Sequence, residues 1–356
     1  MNQVETSQRI RVLLVEDSPV IKELLLYVLG SDSAMEVVAT AVDGEQAVAL
    51  AQQHKPDIVL MDIHLPKMDG FTATRQIMET CPTRVVMVTA TSIPEQIAST
   101  FEALDSGALT VMAKPPGPGH RDHRRMADEL LQTVKLMSEV RVVKRWPRQA
   151  GGGDDSTMHL HDLAPDAEIN LVAIGASTGG PLALREILSR LPRAFAAPIL
   201  IVQHISTGFT GGFVEWLAHT TGYDVRLASH GEVPIAGVAY VAPDGQQMAL
   251  SHEGTIDLHH AAPENGMCPS VSYLFRSVAA IRGANAIGIL LTGMGCDGAQ
   301  ELKQMRQAGA VTIAQSQETS TVFGMPGEAI NAGAAAYVLA PEEIAAALAD
   351  IVKPLK

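Results

Sequence analysis

Short apolar runs rich in Val, Ile, Leu and Met alternate with amphipathic stretches along most of the chain. In the first third, the runs at 11–15 (RVLLV), 36–41 (EVVATA), 57–61 (DIVLM), 84–89 (RVVMVT) and 109–113 (LTVMA) predict strands. Helices are predicted over 19–29 and 44–54. Strands of this length alternating with helices indicate a parallel sheet with helices on both faces. The rhythm breaks at 116–168. PPGPG opens that segment with rigid turns, and a predicted helix then places Met126, Leu130, Val134 and Met137 on one face. Pro147 and GGGDDST follow, with the composition of a flexible linker. The α/β rhythm resumes over 169–350. Strands are predicted at 171–175 (LVAIG), 198–202 (PILIV), 238–241, 286–291 (AIGILL) and 311–314, with helices at 181–191, 211–220, 271–281, 298–308 and 341–352. The expectation is two α/β domains, 9–115 and 169–352, joined by a linker over 116–168.

Composition narrows the function classes. The chain has 356 residues, room for two ordinary domains. Aromatics are only 4 %, so the cores must be aliphatic. A net charge of −13 argues against general nucleic-acid binding, which needs a basic footprint. Residues 120–148 stand apart, with eight Lys/Arg against four Asp/Glu. They read first as a solvated helix, and second as a basic docking face for an acidic domain. Cys81, Cys268 and Cys296 form neither a zinc pattern nor a disulfide framework, which fits a reducing cytoplasm. The polar start at 1–8 lacks a signal peptide's apolar stretch. No apolar run approaches the roughly 18–20 residues that span a bilayer. A cytoplasmic monomer with no membrane insertion is expected.

Candidate chemistry gathers at predicted strand ends. Glu16 and Asp17 follow the first strand, Asp62 the third, Thr89 ends the fourth and Lys114 follows the fifth. Carboxyl ends of parallel strands line the ligand crevice. Clustered carboxylates there suit a hard divalent cation. A hydroxyl and an ammonium at the same crevice suit phosphoryl oxygens, with Asp62 as the attacking group. In this order VEDSP, LMDIHLPKMDG, MVTA and AKP resemble the response-regulator receiver family over 9–115. The resemblance implies a flavodoxin-like fold, an aspartyl phosphate at Asp62, Mg²⁺ near Glu16, Asp17 and Asp62, switch roles for Thr89 and Lys114, and a histidine-kinase partner. One position departs: Val111 stands where receivers usually carry an aromatic.

The second constellation begins in LVAIGASTGGPLALREILSRL, which predicts strand, tight turn and helix. Ser177 is placed at a helix N-terminus, where free N–H groups favour negative charge. A dinucleotide loop GxGxxG would need glycine where Ser177 stands, and the next strand would end in a carboxylate. That strand, PILIVQHI, ends in Gln203 and His204 instead. His204 lies one strand over from Ser177. Asp297 lies in the turn after a third strand, AIGILLTGMGCDG, where it could orient the imidazole or cap the following helix. The N–H groups after Ser177, including that of Thr178, and those of the 293–295 turn are candidate oxyanion donors. IGASTGGP, VQHI, VAPDG, PSVSYLFRS, LLTGMGCDGA, TIAQ and FGMPGEAI resemble the catalytic domain of CheB-type protein-glutamate methylesterases over about 169–350.

This second resemblance implies a doubly wound parallel-sheet serine hydrolase with Ser177, His204 and Asp297 as its triad. It places Met294 in the turn packed against the histidine. It also implies hydrolysis of glutamyl methyl esters and deamidation of glutamines on methyl-accepting chemoreceptors, with no cofactor for the ester chemistry. A CheA-type kinase would phosphorylate the receiver, which would otherwise cover the crevice. Met267 and Cys268 replace the family's usual His–Arg pair before PSV. The alternative expectation is a phosphorylation-dependent adaptor whose C-terminal domain only docks.

Overall fold

The structure is a computed structural model that describes residues 9–89, 101, 104, 106–140 and 169–352. It separates into two compact units, Met1–Gly152 and Gly153–Lys356.

The first unit runs β1 (Ile10–Val15), α1 (Pro19–Gly30), β2 (Met35–Ala41), α2 (Gly44–His54), β3 (Ile58–Asp62), α3 (Gly70–Thr80), β4 (Arg84–Thr89), β5 (Thr110–Ala113) and α4 (His123–Glu139). Its five strands are parallel in the order β2-β1-β3-β4-β5. Alternating residues of the central strands, such as Leu13, Val15, Val59, Met61, Val85 and Met87, pack against small residues of α2 and α3. Side-chain caps start three helices: Ser18 accepts from Ile21 N, Asp43 from Gln46 N, and Asp69 from Thr72 N. The order in which strands are added to the sheet reverses between β1 and β3, and ligands bind at the carboxyl ends beside such a switch point.

One boundary needs correction. The sequence pattern puts residues from 116 onward in a linker, but α4 packs against α1, β3 and β4. Leu130, Val134 and Met137 are fully buried there, and Arg84 Nε donates to Val140 O at 2.6 Å. The helix stripe that periodicity identified must be buried somewhere, and it covers the first unit's own sheet. The Pro147 and GGGDDST stretch, and the basic residues at 141–148, lie outside the described residues.

The second unit runs β6 (Leu171–Ala176), α5 (Gly180–Arg190), β7 (Ile199–Gln203), α6 (Thr210–Thr221), β8 (Asp224–Leu227), β9 (Val238–Val241), β10 (Gln247–Leu250), β11 (Ile256–His259), α7 (Val271–Ile281), β12 (Ala286–Leu290), α8 (Ala299–Gln307), β13 (Val311–Gln315), α9 (Met325–Asn331), β14 (Tyr337–Leu339) and α10 (Pro341–Ile351). Seven parallel strands lie in the order β14-β13-β12-β6-β7-β9-β8, and β10 and β11 form a separate antiparallel hairpin. The chain winds outward from β6 through β7, then returns to β6's other side at β12. The switch point therefore sits between β6 and β12. The strands β6, β7, β9, β12 and β13 are buried along their length, and Phe275, Leu274 and Val278 of α7 lie in the core. Among the described residues, no helix is long and apolar enough to cross a membrane.

Candidate active site and acidic pocket

In the first unit, the strand ends bring the expected residues together. Lys114 Nζ lies 2.6 Å from Glu16 Oε2 and 2.8 Å from Asp62 Oδ2. These three side chains are 6 %, 1 % and 5 % exposed. Glu16 Oε1 also accepts from Ser18 N at 3.2 Å. Burial raises the Glu16 pKa above its ordinary value, and the neighbouring Asp62 charge adds to this against the opposing pull of Lys114. Asp17 is exposed, yet it, Glu16 and Asp62 each offer an oxygen within 4.8 Å of the others. Three converging carboxylates fit a hard divalent ion that keeps some of its waters. Thr89 is buried on β4, one strand from Asp62, and Lys114 N donates to Thr89 O at 2.8 Å. Val111 is half-buried on β5 and packs against the core.

In the second unit, Ser177 is the residue after β6 and is held from both sides. Its N–H donates to Thr292 O at 3.0 Å, while its carbonyl accepts from Gly180 N at 2.8 Å. Helix α5 starts only at Gly180 with Gly179 as its N-cap, so Ser177 precedes the first turn instead of lying in it. Gly179 has φ +80°, and a Cβ there would stand 2.3 Å from Thr321 Oγ1. Gly293 is equally constrained: an ideal Cβ would lie 2.6 Å from Ser177 Cβ. Only a residue without a side chain lets the 293 turn approach the serine so closely.

His204 follows β7, and its N–H donates to Ala176 O at 2.9 Å. Its ring is anchored through Nε2, which lies 2.9 Å from Asp297 Oδ2. The two side chains are 8 % and 4 % exposed. Nδ1 is buried and has no hydrogen-bond partner among the described residues. The carboxylate thus fixes the Nε2–H tautomer and leaves Nδ1 as the basic nitrogen. The open nitrogen is the opposite one from that of the template serine protease triad.

Asp297 does not cap the helix that follows it, since α8 begins at Ala299 with Gly298 as its N-cap and no side-chain cap. It caps α7. Oδ2 accepts from Val271 N at 2.7 Å, and Oδ1 accepts from Ser272 N at 3.2 Å and Ser270 Oγ at 2.8 Å. Asn265 Nδ2 adds a longer bond to Oδ1 at 3.4 Å. Desolvation alone would raise this carboxyl's pKa. Hydrogen bonding and charge from His204, with the Ser272 and Ser270 hydrogen bonds, outweigh it and hold the pKa well below the ordinary carboxylate range. A helix N-terminus favours the same charge.

A depressed folded-state pKa stabilises the fold above the unfolded value, about 4, and that contribution is lost as pH falls below it. Acid unfolding followed by circular dichroism is expected to show wild type losing stability below about pH 4 more steeply than Asp297→Asn. Equal slopes for the two proteins would show that Asp297 is not the group responsible.

The expected oxyanion donors divide. The Gly293 N–H is already donated to Val322 O at 3.0 Å. The Thr178 and Met294 N–H groups have no protein acceptor among the described residues, and both residues are half-buried. Sequence reasoning missed the residues that brace the site. Asn265, Ser270 and Ser272 hold Asp297, and buried Gln247 accepts from Ser270 N at 2.7 Å. Ser270 and Ser272 were visible within PSVSYLFRS, but nothing local marks them as partners of a residue so far along the chain. Met267 O accepts from Gln247 Nε2 at 3.2 Å, so Met267 and Cys268 lie on the segment leading into this clamp. Burial raises the Cys268 thiol pKa.

Comparison with known proteins follows the same division. Residues 172–348 match the CheB methylesterase family and 12–121 the response regulator receiver domain. A protein-glutamate methylesterase/protein-glutamine glutaminase of Nitrosospira multiformis is 50 % identical over 96 % of this chain and 97 % of its own. The chain belongs to the CheB family. A second CheB relative, from Geobacter metallireducens and with the same descriptive name, is 49 % identical over 96 % of this chain and 99 % of its own. The crystal structure of the Thermotoga maritima CheB methylesterase catalytic domain matches with a TM-score of 0.50 and 36 % identity, covering 52 % of this chain and 99 % of that one. The CheB catalytic domain is therefore present, joined to a receiver, and receiver phosphorylation in general depends on Mg²⁺.

Proposed function

We propose that this chain is a phosphorylation-activated methylesterase that hydrolyses glutamyl methyl esters on the cytoplasmic helices of chemoreceptors, and deamidates glutamines there by the same path. The observation that carries this reading is the dry His204–Asp297 pair, 2.9 Å long, on the strand end next to Ser177. Ser177 Oγ attacks the ester carbonyl and gives its proton to His204 Nδ1. Asp297 stabilises the imidazolium through Nε2–H. The Thr178 and Met294 N–H groups suit the developing oxyanion. His204 then protonates departing methanol, or ammonia from a glutamine. Water attacks the glutamyl-enzyme with His204 again as base, releasing the glutamate. No hydrogen bond joins Ser177 to His204 among the described residues, and such bonds commonly tighten only when substrate arrives.

Asp62 is the proposed phosphoacceptor, supplied by a CheA-type histidine kinase. Glu16, Asp17 and Asp62 would hold Mg²⁺, whose charge would neutralise the incoming phosphoryl oxygens. Lys114 contributes a cation already placed against Asp62, and Thr89 a hydroxyl on the adjacent strand. The adaptor alternative loses support, because the C-terminal unit matches the methylesterase family and keeps all three chemical groups. Methanol release from methylated receptor membranes, with and without acetyl phosphate, tests the whole reading. Asp62→Asn is expected to abolish stimulation by the phosphodonor while unstimulated release continues. Stimulation of that variant equal to wild type would remove Asp62 as the acceptor.

A further inference from the structure

Gln203 is the last residue of β7, and its side chain is buried between the two reacting residues. Its amide nitrogen donates to Ser177 O at 2.8 Å and to His204 O at 2.8 Å. Both hydrogens of one nitrogen are therefore used, one on each residue. The other end of the amide, Oε1, is buried with no hydrogen-bond partner among the described residues. It sits against Gly180, where an ideal Cβ would stand 2.2 Å away. A buried acceptor left unpaired is unusual in a native fold and calls for an explanation.

The pair of carbonyls supplies one. Their two acceptors diverge from one point and need two N–H donors on one atom. Glutamate and methionine offer no donor. Asparagine has the same amide on a shorter arm. Lysine has the donors but brings a charge into a site whose cation is meant to be the transient imidazolium. Among neutral side chains of this length, glutamine alone provides the pair of hydrogens, and its orphaned Oε1 is the consequence. The backbone makes one link of its own, from His204 N to Ala176 O in the peptide group that precedes Ser177, while Ser177 N is bonded to Thr292 O toward β12. Among the described residues, Gln203 adds the side-chain tie, reaching the carbonyl of the nucleophile's residue and that of the base's residue at once.

We infer that Gln203 is a positioning residue for the hydrolysis, a brace that sets the separation of Ser177 and His204. The inference rests on the proposed triad. Gln203 touches no reacting atom, and its effect is on how often Ser177 Oγ and His204 Nδ1 stand in line. Misplacement of reacting groups by about 1 Å costs on the order of 100-fold in rate.

Gln203→Met keeps the length and removes both donors. The expected result is a fall in kcat on the order of 10- to 100-fold with KM unchanged. Labelling of Ser177 by a fluorophosphonate should slow by the same factor, in protein whose melting temperature shows that it is folded. A merely structural role would lower the folded fraction and leave the rate per folded molecule intact. Folded Gln203→Met with kcat within twofold of wild type would overturn the brace. If Gln203→Met does not fold, the wild-type protein decides. Through-hydrogen-bond couplings from Gln203 Nε2 to both the Ser177 and His204 carbonyl carbons are expected in its NMR spectrum, and absence of either would overturn the inference. Ser177→Ala, assayed alongside, separates the two claims. An active Ser177→Ala would remove the triad, and the brace with it. An inactive Ser177→Ala beside a fully active Gln203→Met would remove the brace alone.

Discussion

Ser177→Ala is expected to lower methanol release by a factor on the order of 10⁶, the scale of losing the nucleophile from a serine hydrolase. The substitution is unusually clean here. The contacts that hold residue 177 are made by its backbone, to Thr292, Gly180 and Gln203. The close approach of Gly293 is to its Cβ, which alanine keeps. Only the hydroxyl is lost, so the variant should fold and melt like wild type while failing to react with a fluorophosphonate. Release within tenfold of wild type would show that another group attacks the ester.

Asp297→Asn should be nearly as damaging in rate, with a loss of about 10⁴-fold in kcat. The carboxylate accepts five hydrogen bonds and donates none. An amide must turn its NH₂ toward one of the two sides. At the Oδ2 position it would meet the Val271 N–H and force His204 into the opposite tautomer, with a proton on the nitrogen that must accept one from Ser177. At the Oδ1 position it would meet the N–H groups of Ser272 and Asn265. Either choice leaves a buried donor against donors, so the variant should also be less stable. The discriminating measurement is kcat per folded molecule across pH. A value within tenfold of wild type at every pH would mean that the tautomer of His204 is not set by this carboxylate.

Much of this arrangement was legible in the chain. Continuous apolar runs announce buried parallel strands, and β4 and β9 begin and end where the pattern places them. Apart from Asp297, which lies in the turn well beyond β12, the chemical residues stand at the ends of such runs or just after them, so a strand end and a reactive side chain are read together. What stayed hidden is of two kinds. Weakly patterned elements gave no local signal. The edge strand β8 buries only Val225 of its four residues, and α3 relies on small residues such as Ala73 and Thr74 for its buried face. The second kind is contact across long separations. Ser270 and Asp297 meet over 27 residues, and Gln203 reaches Ser177 over 26. Spacing along a sequence carries no trace of such meetings. The extent of the first unit was hidden for a related reason, because periodicity shows that α4 has an apolar stripe but not which sheet the stripe will cover.

The seat of Asp297 on the first turn of α7 has a bearing on how this family can diverge. Two of the five donors, Val271 N and Ser272 N, belong to the main chain. Any residue that begins a helix at this place offers the same two hydrogens, whatever its side chain. This part of the anchor is thus inherited with the backbone and does not depend on which side chains stand at 271 and 272. Proline at 271 is the exception. It would suit the first turn of a helix and so leave the architecture intact, yet it would silently withdraw one hydrogen from the charge on which the histidine depends.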